Sequence, residues 1–167
     1  ATCLAAIAIA RQAGVRVSFD TNLRLKLWPL DQAREVMTAL IRQCDICLPS
    51  FEDVAALTGL QDPDALVDHC LGLGAKIVAL KLGARGALLA DASARWRVPP
   101  HPCTPVDATG AGDTFGGALL ARLVAGDSLE AAGRYAGVAA ALSTQGYGAV
   151  EPIPHAAAVR AELERMT

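Results

Sequence analysis

The sequence has no basic excess, no long apolar run and no start resembling a signal peptide. Charged residues make up 19% of the 167 positions and the net charge is -2, so nothing here would neutralise a nucleic-acid backbone. No apolar stretch approaches bilayer-spanning length, and the first residues lack a cationic segment and a cleavage site. These absences favour a cytoplasmic protein with a small-molecule partner, and they disfavour nucleic acid and membrane.

The sequence also lacks a regular cysteine framework. Its cysteines are odd in number and scattered, which predicts reduced thiols at Cys3, Cys44, Cys47, Cys70 and Cys103. Cys44-x-x-Cys47 could be a metal or redox motif, but no second Cys/His pair lies at zinc spacing, and the surrounding run is typical of a buried strand. We assign no metal ligand, and we expect three isolated histidines to lie on the surface or in loops: His69, His101 and His155.

What is present is an alternation of strand-length apolar runs with helical patterns. Runs at Val15–Phe19, Asp45–Leu48 and Lys76–Leu80 are separated by helical stretches at 31–43 and 63–73. This order predicts an α/β fold with a largely parallel sheet flanked by helices. A hairpin is expected at the sheet edge over 86–98, and helices from about Ala111 onwards, including a buried one over 131–143. Because the sequence contains no low-complexity linker, we expect a single domain over 1–167.

Helix start and stop signals support these boundaries. Asp31, Ser50, Asp62 and Ser128 each precede a helical pattern and are expected to cap it. Gly14 and Gly59 are expected to close helices at their C-termini. The chain begins in mid-helix without a methionine or a preceding strand, which predicts a fragment. A sheet built from these strands alone would leave an apolar edge that a partner or a missing half must cover.

The strongest chemical motif is the glycine-rich stretch Val106–Gly117, which runs directly into a helical pattern. Glycines let backbone N–H groups approach an anion, and a helix N-terminus adds partial positive charge at the same point. The spacing fits neither a dinucleotide fingerprint nor a Walker A loop. A phosphoryl group in transfer would fit if Asp113 took the proton of the attacking hydroxyl. From residue chemistry alone, Asp113 could equally serve only to cap or charge the first helical turn.

Asp107-Ala-Thr-Gly-Ala-Gly-Asp-Thr-Phe115 resembles the D-T-x-G-A-G-D-x-F signature of the PfkB carbohydrate kinases, departing from it at Ala108. The resemblance implies a ribokinase-like fold, with Asp113 as the base that contacts the substrate hydroxyl. It places an anion hole at Gly110, Ala111 and Gly112, with Thr109 beside the nucleotide. It also implies ATP, Mg²⁺ and a monovalent cation as cofactors. The match corresponds to the second half of a family member, so the N-terminal half and lid are expected to be missing.

Two further segments fit the same resemblance. Lys81-x-Gly83-x-x-Gly86 is similar to the family's K-x-G-x-x-G, which lines the nucleotide, although the glycines could mean only tight turns. Ser50 and Asp53 stand where the family has N-x-x-E, a motif tied to magnesium and phosphate. A plain helix N-cap with an acidic first turn would explain those two residues equally well.

The substrate class depends on Phe19–Trp28, which leaves a strand at its carboxyl end, where α/β sheets place ligands. Asn22 and Arg24 are the candidate sugar contacts, since a guanidinium fork binds a carboxylate in bidentate fashion; Arg24 could also be a solvated loop residue. The motif D-x-N-L-R-L-K-L-W resembles the corresponding segment of 2-keto-3-deoxygluconate kinases, and D-x-N-L-R also occurs in fructokinases. Trp28 is expected to pack beneath the loop. The alternatives are a fructokinase, another sugar kinase, or an inactive nucleotide-binding fragment, and a homo-oligomer or pairing with the missing half is expected.

Overall fold

A computed structural model describes residues 2–165 and shows an α/β architecture. A five-stranded sheet has the order β1-β2-β3-β4-β5, and the pairs β1–β2 and β2–β3 are parallel. The strands are β1 (Ser18–Phe19), β2 (Ile46–Cys47), β3 (Ile77–Lys81), β4 (Ala87–Asp91) and β5 (Arg95–Val98). The helices are α1 (Thr2–Gln12), α2 (Leu30–Ile41), α3 (Phe51–Thr58), α4 (Pro63–Leu73), α5 (Ala111–Val124), α6 (Leu129–Ser143) and α7 (Ala156–Arg165). The predicted fold class is confirmed.

The first two strands are shorter than the apolar runs that predict them. In β1 the run Val15–Phe19 contributes only its last two residues to the strand. The reason is a side chain: the Asp45 carboxylate accepts the Val17 N–H at 2.9 Å, while the Val17 carbonyl accepts the amides of Asp45 and Ile46. The carboxylate thus takes a donor that a longer parallel ladder would use, and regular pairing starts one residue later.

Three of the four predicted helix caps are confirmed. Ser50, Asp62 and Ser128 each accept a backbone N–H from the residue three positions on. The Asp31 cap is wrong, because α2 starts at Leu30 behind Pro29, whose fixed φ of -64° already suits a helix start, and Asp31 falls inside the first turn. Gly59 closes α3 in the left-handed conformation, as expected.

The described chain divides into two compact units. The first runs to Gly83 and includes Leu88–Arg95, and the second contains Ala84–Ala87 and the chain from Trp96 onwards. The core of the first unit is built from fully buried side chains of α4, β3 and β4: Leu66, Val67, Val78, Leu80 and Leu88. In the second unit α6 is buried along small residues such as Ala132 and Ala136, as predicted. The single domain over 1–167 stays a prediction.

Cys44, Cys47 and Cys70 lie in the first unit's core and are not disulfide-bonded. A hydrogen bond with Cys44 and burial together raise the pKa of the Cys47 thiol well above its usual range, so this thiol is neutral, as a small buried hydrophobe should be. Over residues 2–165, no three His, Cys, Asp or Glu side chains are grouped to hold a metal ion. No helix in that range is both long and apolar enough to cross a membrane.

Candidate active site

In the first unit, the chain leaves β1 through a loop, residues 20–24, which carries two predicted substrate contacts. Thr21 is buried at 3% exposure, whereas Asn22 and Arg24 are exposed. Asn22 adopts φ 41°, and it is the one non-glycine residue with positive φ in the part of the chain described. Asparagine tolerates the left-handed region better than most residues, but something must still hold it there.

The loop is held from the first turn of α3. One oxygen of the Asp53 carboxylate, Oδ2, accepts the Thr21 hydroxyl at 2.9 Å and the Leu23 N–H at 3.0 Å. These two bonds flank Asn22 on either side. Ser50 acts as the N-cap of the same helix and accepts the Asp53 N–H at 3.2 Å, so the plain helix cap expected as an alternative for Ser50 is present.

A second anchor joins the loop to the end of β3. The Lys81 ammonium forms an ion pair with Asp20, and the Lys81 N–H donates to the Pro49 carbonyl at 2.8 Å. Lys81 is therefore already paired, with its side chain only 15% exposed. Any contact it makes with a nucleotide phosphate would be shared with Asp20, so a nucleotide role for Lys81 stays a prediction.

The two glycines after Lys81 lie in different surroundings. Gly83 opens a short 3₁₀ turn over Gly83–Arg85, and a Cβ added there would meet no other atom within 4 Å. Gly86 has φ 86°, and its added Cβ would lie 2.1 Å from the Val98 carbonyl oxygen. Close backbone packing is thus sufficient to explain Gly86 without any ligand. The nucleotide role of both glycines remains a prediction.

An open pocket of about 500 Å³ adjoins the loop, lined by Asn22, Arg24, Leu27, Trp28 and Gln32. The Arg24 guanidinium donates one bond to the Leu23 carbonyl at 2.9 Å and has no acidic partner within residues 2–165. Trp28 packs against Ala33, Met37 and Leu57, which confirms its packing role, and it also contributes to the pocket wall. Gln32 was missed, because no sequence motif distinguishes it from other polar residues at the start of α2.

In the second unit the glycine turn is organised by Asp107. Its Oδ1 accepts the Thr109 hydroxyl at 2.6 Å and the Thr109 N–H at 2.9 Å, and its Oδ2 accepts the Gly148 N–H at 2.9 Å. The Thr109 hydroxyl bond, followed by the Gly148 amide, lowers the pKa of the Asp107 carboxyl below its ordinary value. Asp107 is therefore a charged anchor, and it leaves the Thr109 hydroxyl engaged.

The turn enters α5 at a left-handed Gly110, φ 78°, whose added Cβ would lie 3.0 Å from the Ala149 Cβ and carbonyl oxygen. The positive φ falls on Gly110 and not on Gly112, which is already helical. Within residues 2–165 the amides of Gly110, Gly112 and Asp113 have no acceptor, whereas the Ala111 amide donates to the Ala108 carbonyl at 3.2 Å. The amides without an acceptor are thus those of Gly110, Gly112 and Asp113, and the anion hole expected at Gly110, Ala111 and Gly112 stays a prediction.

Asp113 lies in the first turn of α5 and is exposed. Its carboxylate has no hydrogen-bond or ionic partner among the residues described, so it does not cap the helix through its side chain. An unpaired carboxylate beside unpaired amides is an arrangement that can accept a proton next to a bound anion. The roles of Asp113 and of the amides remain predictions.

One histidine in a loop has a buried side chain. His101 lies in a loop as expected, but its side chain is buried at 7% exposure, and its Nε2 lies 3.3 Å from Glu162 of α7. A polar ring needs a partner when it is buried, and the sequence gives no sign of which carboxylate supplies it. His69 is half-buried on α4 and His155 is exposed.

The chain thus has an α/β architecture, and in its second unit a glycine turn leads into a helix whose first amides have no acceptor within residues 2–165. The family model described as pfkB family carbohydrate kinase matches residues 1–156, and the chain belongs to that family. The expected family membership is thereby confirmed.

Three relatives show how the similarity is distributed. Fructokinase-1 of Oryza sativa subsp. japonica is 34% identical over 160 residues, covering 90% of this chain and 50% of the rice protein. The 2-dehydro-3-deoxygluconokinase of Bacillus subtilis (strain 168) is 34% identical over 149 residues, covering 86% and 45%. The crystal structure of fructokinase from Vibrio cholerae O395, in its fructose, ADP and calcium ion bound form, superimposes with a TM-score of 0.89 at 33% identity, over 96% of this chain and 55% of that one. The chain thus spans about half the length of these relatives, and the ribokinase-like fold is confirmed.

Proposed function

We propose that the natural protein containing this chain transfers a phosphoryl group from ATP to a hydroxyl of a small sugar acid. The single observation that carries this proposal is the exposed, unpaired carboxylate of Asp113 beside the unpaired amides of Gly110 and Gly112. Membership of the carbohydrate kinase family supports the reaction class. The fructose and ADP bound by the Vibrio fructokinase support a sugar and a nucleotide as the two ligands.

In this mechanism the sugar hydroxyl gives its proton to an oxygen of Asp113 as its own oxygen bonds to the γ-phosphorus of ATP. The bond from that phosphorus to the β,γ-bridging oxygen breaks, and ADP leaves with the electron pair. The amides of Gly110 and Gly112 donate to the non-bridging oxygens, where charge is spread in the transition state. The partial positive charge at the start of α5 favours the same oxygens.

ATP and Mg²⁺ are the proposed cofactors. Mg²⁺ usually keeps several waters and binds one or two carboxylates together with substrate phosphates. When bound, the ion would neutralise charge on the phosphates, and we assign it no side-chain ligand, which leaves Asp113 free to act as the base. Nucleotide contacts are proposed for Thr109 in the turn, and for Lys81, Gly83, Gly86 and Ser50. A monovalent cation is kept as a proposed additional ligand.

The proposed sugar acid is 2-keto-3-deoxygluconate, and the alternative is fructose. The two curated relatives are equally similar at 34%, so identity does not separate the substrates. The observation that favours the acid is Arg24, a guanidinium with no acidic partner in the described chain at the rim of a pocket that also contains Asn22. A module that binds nucleotide without turnover is the third possibility. A cytoplasmic location and a homo-oligomer, or pairing with an N-terminal half, stay predictions.

The test of the reaction is Asp113→Asn in the natural protein. We expect turnover to fall by about 10²- to 10⁴-fold, the usual contribution of a general base, because an amide cannot take the hydroxyl proton. ADP affinity should stay within a few-fold, measured by isothermal titration, while ADP release is followed over a panel of sugars and sugar acids. The control is Glu130→Gln, which neutralises a half-buried carboxylate, paired with Arg134, in the first turn of the neighbouring helix α6.

Each outcome selects one possibility. A variant that keeps more than about a tenth of the wild-type rate would refute Asp113 as the base. A wild-type protein that binds ADP but forms no ADP from ATP with any sugar would support the inactive module. Preference for fructose over the acid would replace the proposed substrate with its alternative.

A further inference from the structure

The side chain of Asp53 makes contacts that differ from those its motif position implies. Its Oδ2 is occupied by two donors from the loop after β1, the Thr21 hydroxyl at 2.9 Å and the Leu23 N–H at 3.0 Å. Both donors lie about thirty positions earlier in the chain, on a different strand end. This oxygen of the carboxylate therefore holds the loop, and a ligand that bound the same oxygen would have to share it.

The two bonds flank the one strained residue in the loop. Asn22 has φ 41°, a left-handed conformation that strains most L-residues and that asparagine tolerates better than others. Such strain persists only where neighbouring contacts overdetermine it, and here the contacts on both sides go to the same oxygen. Releasing Oδ2 would let Asn22 relax, and the side chains of Asn22 and Arg24 would move away from their positions in the pocket wall.

The length of the side chain matters. The family pattern has glutamate at this position, one methylene longer, which would move the carboxylate by about one carbon–carbon bond, ~1.5 Å. Hydrogen bonds of 2.9 and 3.0 Å leave little room for such a shift. Aspartate at position 53 therefore matches the loop geometry found here.

We propose that Asp53 is a positioning residue, which sets the sugar-binding conformation of Thr21–Arg24 through its bonds to Thr21 and Leu23. This inference rests on the proposed function, since it assigns the pocket of Asn22 and Arg24 to the sugar. It differs from the magnesium and phosphate role implied by the motif, because a positioning carboxylate is needed as an acceptor and not as a charge.

The experiment compares Asp53→Ala, Asp53→Asn and Thr21→Val in the natural protein. Asp53→Ala removes the acceptor and should raise the KM for the sugar by about 10-fold or more, the effect of losing a hydrogen bond to a charged group, with a smaller change in kcat. Asp53→Asn keeps an oxygen acceptor and should restore most of the loss. Thr21→Val should reproduce part of the effect, and the double variant Thr21→Val/Asp53→Ala should be no worse than Asp53→Ala.

Two readouts separate the positioning role from its alternatives. The Mg²⁺ concentration for half-maximal rate should be unchanged in all four variants, and amide exchange over residues 20–24 should speed up in Asp53→Ala. The matched control is Glu52→Ala, which removes an exposed carboxylate from the same turn of α3 and should change none of these quantities. Thermal unfolding checks that each variant is folded, and Thr21→Val carries the test if Asp53→Ala does not fold.

The proposal is overturned if Asp53→Asn is as damaging as Asp53→Ala and raises the Mg²⁺ requirement, since charge would then be what matters. It is also overturned if Thr21→Val leaves sugar KM and loop exchange unchanged. A wild-type protein without turnover on any sugar refutes the proposed function by itself. The exchange rates then decide the positioning role, with faster exchange supporting it and unchanged exchange rejecting it.

Discussion

The two loops that carry the predicted chemistry are held in different ways. The loop of residues 20–24 is fixed by side chains from distant parts of the chain, Asp53 and Lys81. The glycine turn is held partly from within, by Asp107 acting on Thr109 two positions later and by the left-handed Gly110. The remote contacts that reach it come from backbone groups: the Gly148 N–H donates to Asp107, and the Thr144 carbonyl accepts the amides of Val106 and Asp107 at 2.7 and 3.0 Å.

Because of this difference, the two loops should respond differently to substitutions elsewhere in the chain. A turn whose side-chain bonds close short rings depends less on distant side chains, although this turn is also bonded to the backbone of Thr144 and Gly148. A loop held by remote side chains depends on the surrounding helices and strands being in place, and a change thirty residues away can alter it. Substrate specificity is therefore expected to vary through the first loop and phosphate chemistry to persist in the second.

Among the substitutions that test this comparison, the largest effect is expected at Arg24, in the loop of residues 20–24. If the carboxylate of the sugar pairs with its guanidinium, Arg24→Lys should raise KM for 2-keto-3-deoxygluconate by about 10- to 150-fold, because an ammonium cannot form the two-pronged bond. KM for fructose should hardly change. Measuring KM for the sugar and for ATP in the same variant checks this.

The outcomes are distinct. If Arg24 instead holds an ATP phosphate, the variant should weaken ATP binding with every sugar alike. If neither KM moves by more than about two-fold, Arg24 is a solvated loop residue of the kind whose ion pairs contribute little, and the preference for a sugar acid loses its chemical support.

A smaller effect is expected from the glycines of the locally held turn. Gly110→Ala should destabilise the protein by about 1–2 kcal/mol, because alanine resists positive φ and its Cβ would crowd Ala149 at 3.0 Å. Gly117→Ala is the matched control, since Gly117 lies within α5 and its added Cβ meets nothing within 4 Å. It should stabilise the helix by about 0.5–1 kcal/mol.

Chemical denaturation of both variants measures the two free energies of unfolding. Opposite signs for the two glycine substitutions would support the assignment of conformational strain to Gly110 alone. Equal losses at both positions would mean that general packing of α5, and not the dihedral angle at its start, determines the stability of the turn.

The sequence predicts the parts of the molecule that depend on neighbouring residues. The helix caps at Ser50, Asp62 and Ser128 follow from short-range hydrogen bonding, and the glycine turn before α5 follows from its own motif. The cap at Asp31 fails because α2 begins at Leu30, behind Pro29, two residues before the start at Gln32 that the pattern suggests.

The contacts that could not be predicted are those between side chains far apart in the sequence. Nothing in the sequence of Phe19–Trp28 indicates that Asp20 pairs with Lys81 or that Thr21 donates to Asp53, because both contacts depend on strand register. The burial of His101 against Glu162 is of the same kind. Residues can thus be assigned to a site by motif, while the bonds that orient them require the fold.

The smallest expected effect concerns Asp107, the anchor of the locally held turn. Its folded-state pKa is lowered, first by the Thr109 hydroxyl and then by the Gly148 amide, so its contribution to stability is present above the unfolded pKa of about 3.9 and is lost as the pH falls through the folded pKa. Asp107→Asn should therefore be less stable than wild type by a constant margin above about pH 5. That margin should shrink progressively below about pH 4, as the wild-type carboxyl takes up its proton.

Unfolding free energies of wild type and variant at several pH values give this margin directly. The control is Glu151→Gln, which neutralises an exposed carboxylate with no hydrogen-bond partner in the described chain and should show no such narrowing. The loss is expected to be smaller than at Gly110, because Asp107 is solvated and asparagine retains one acceptor oxygen for Thr109. A margin independent of pH would show that the carboxylate's charge adds nothing to its bonds with Thr109 and Gly148, so that shape alone holds the turn.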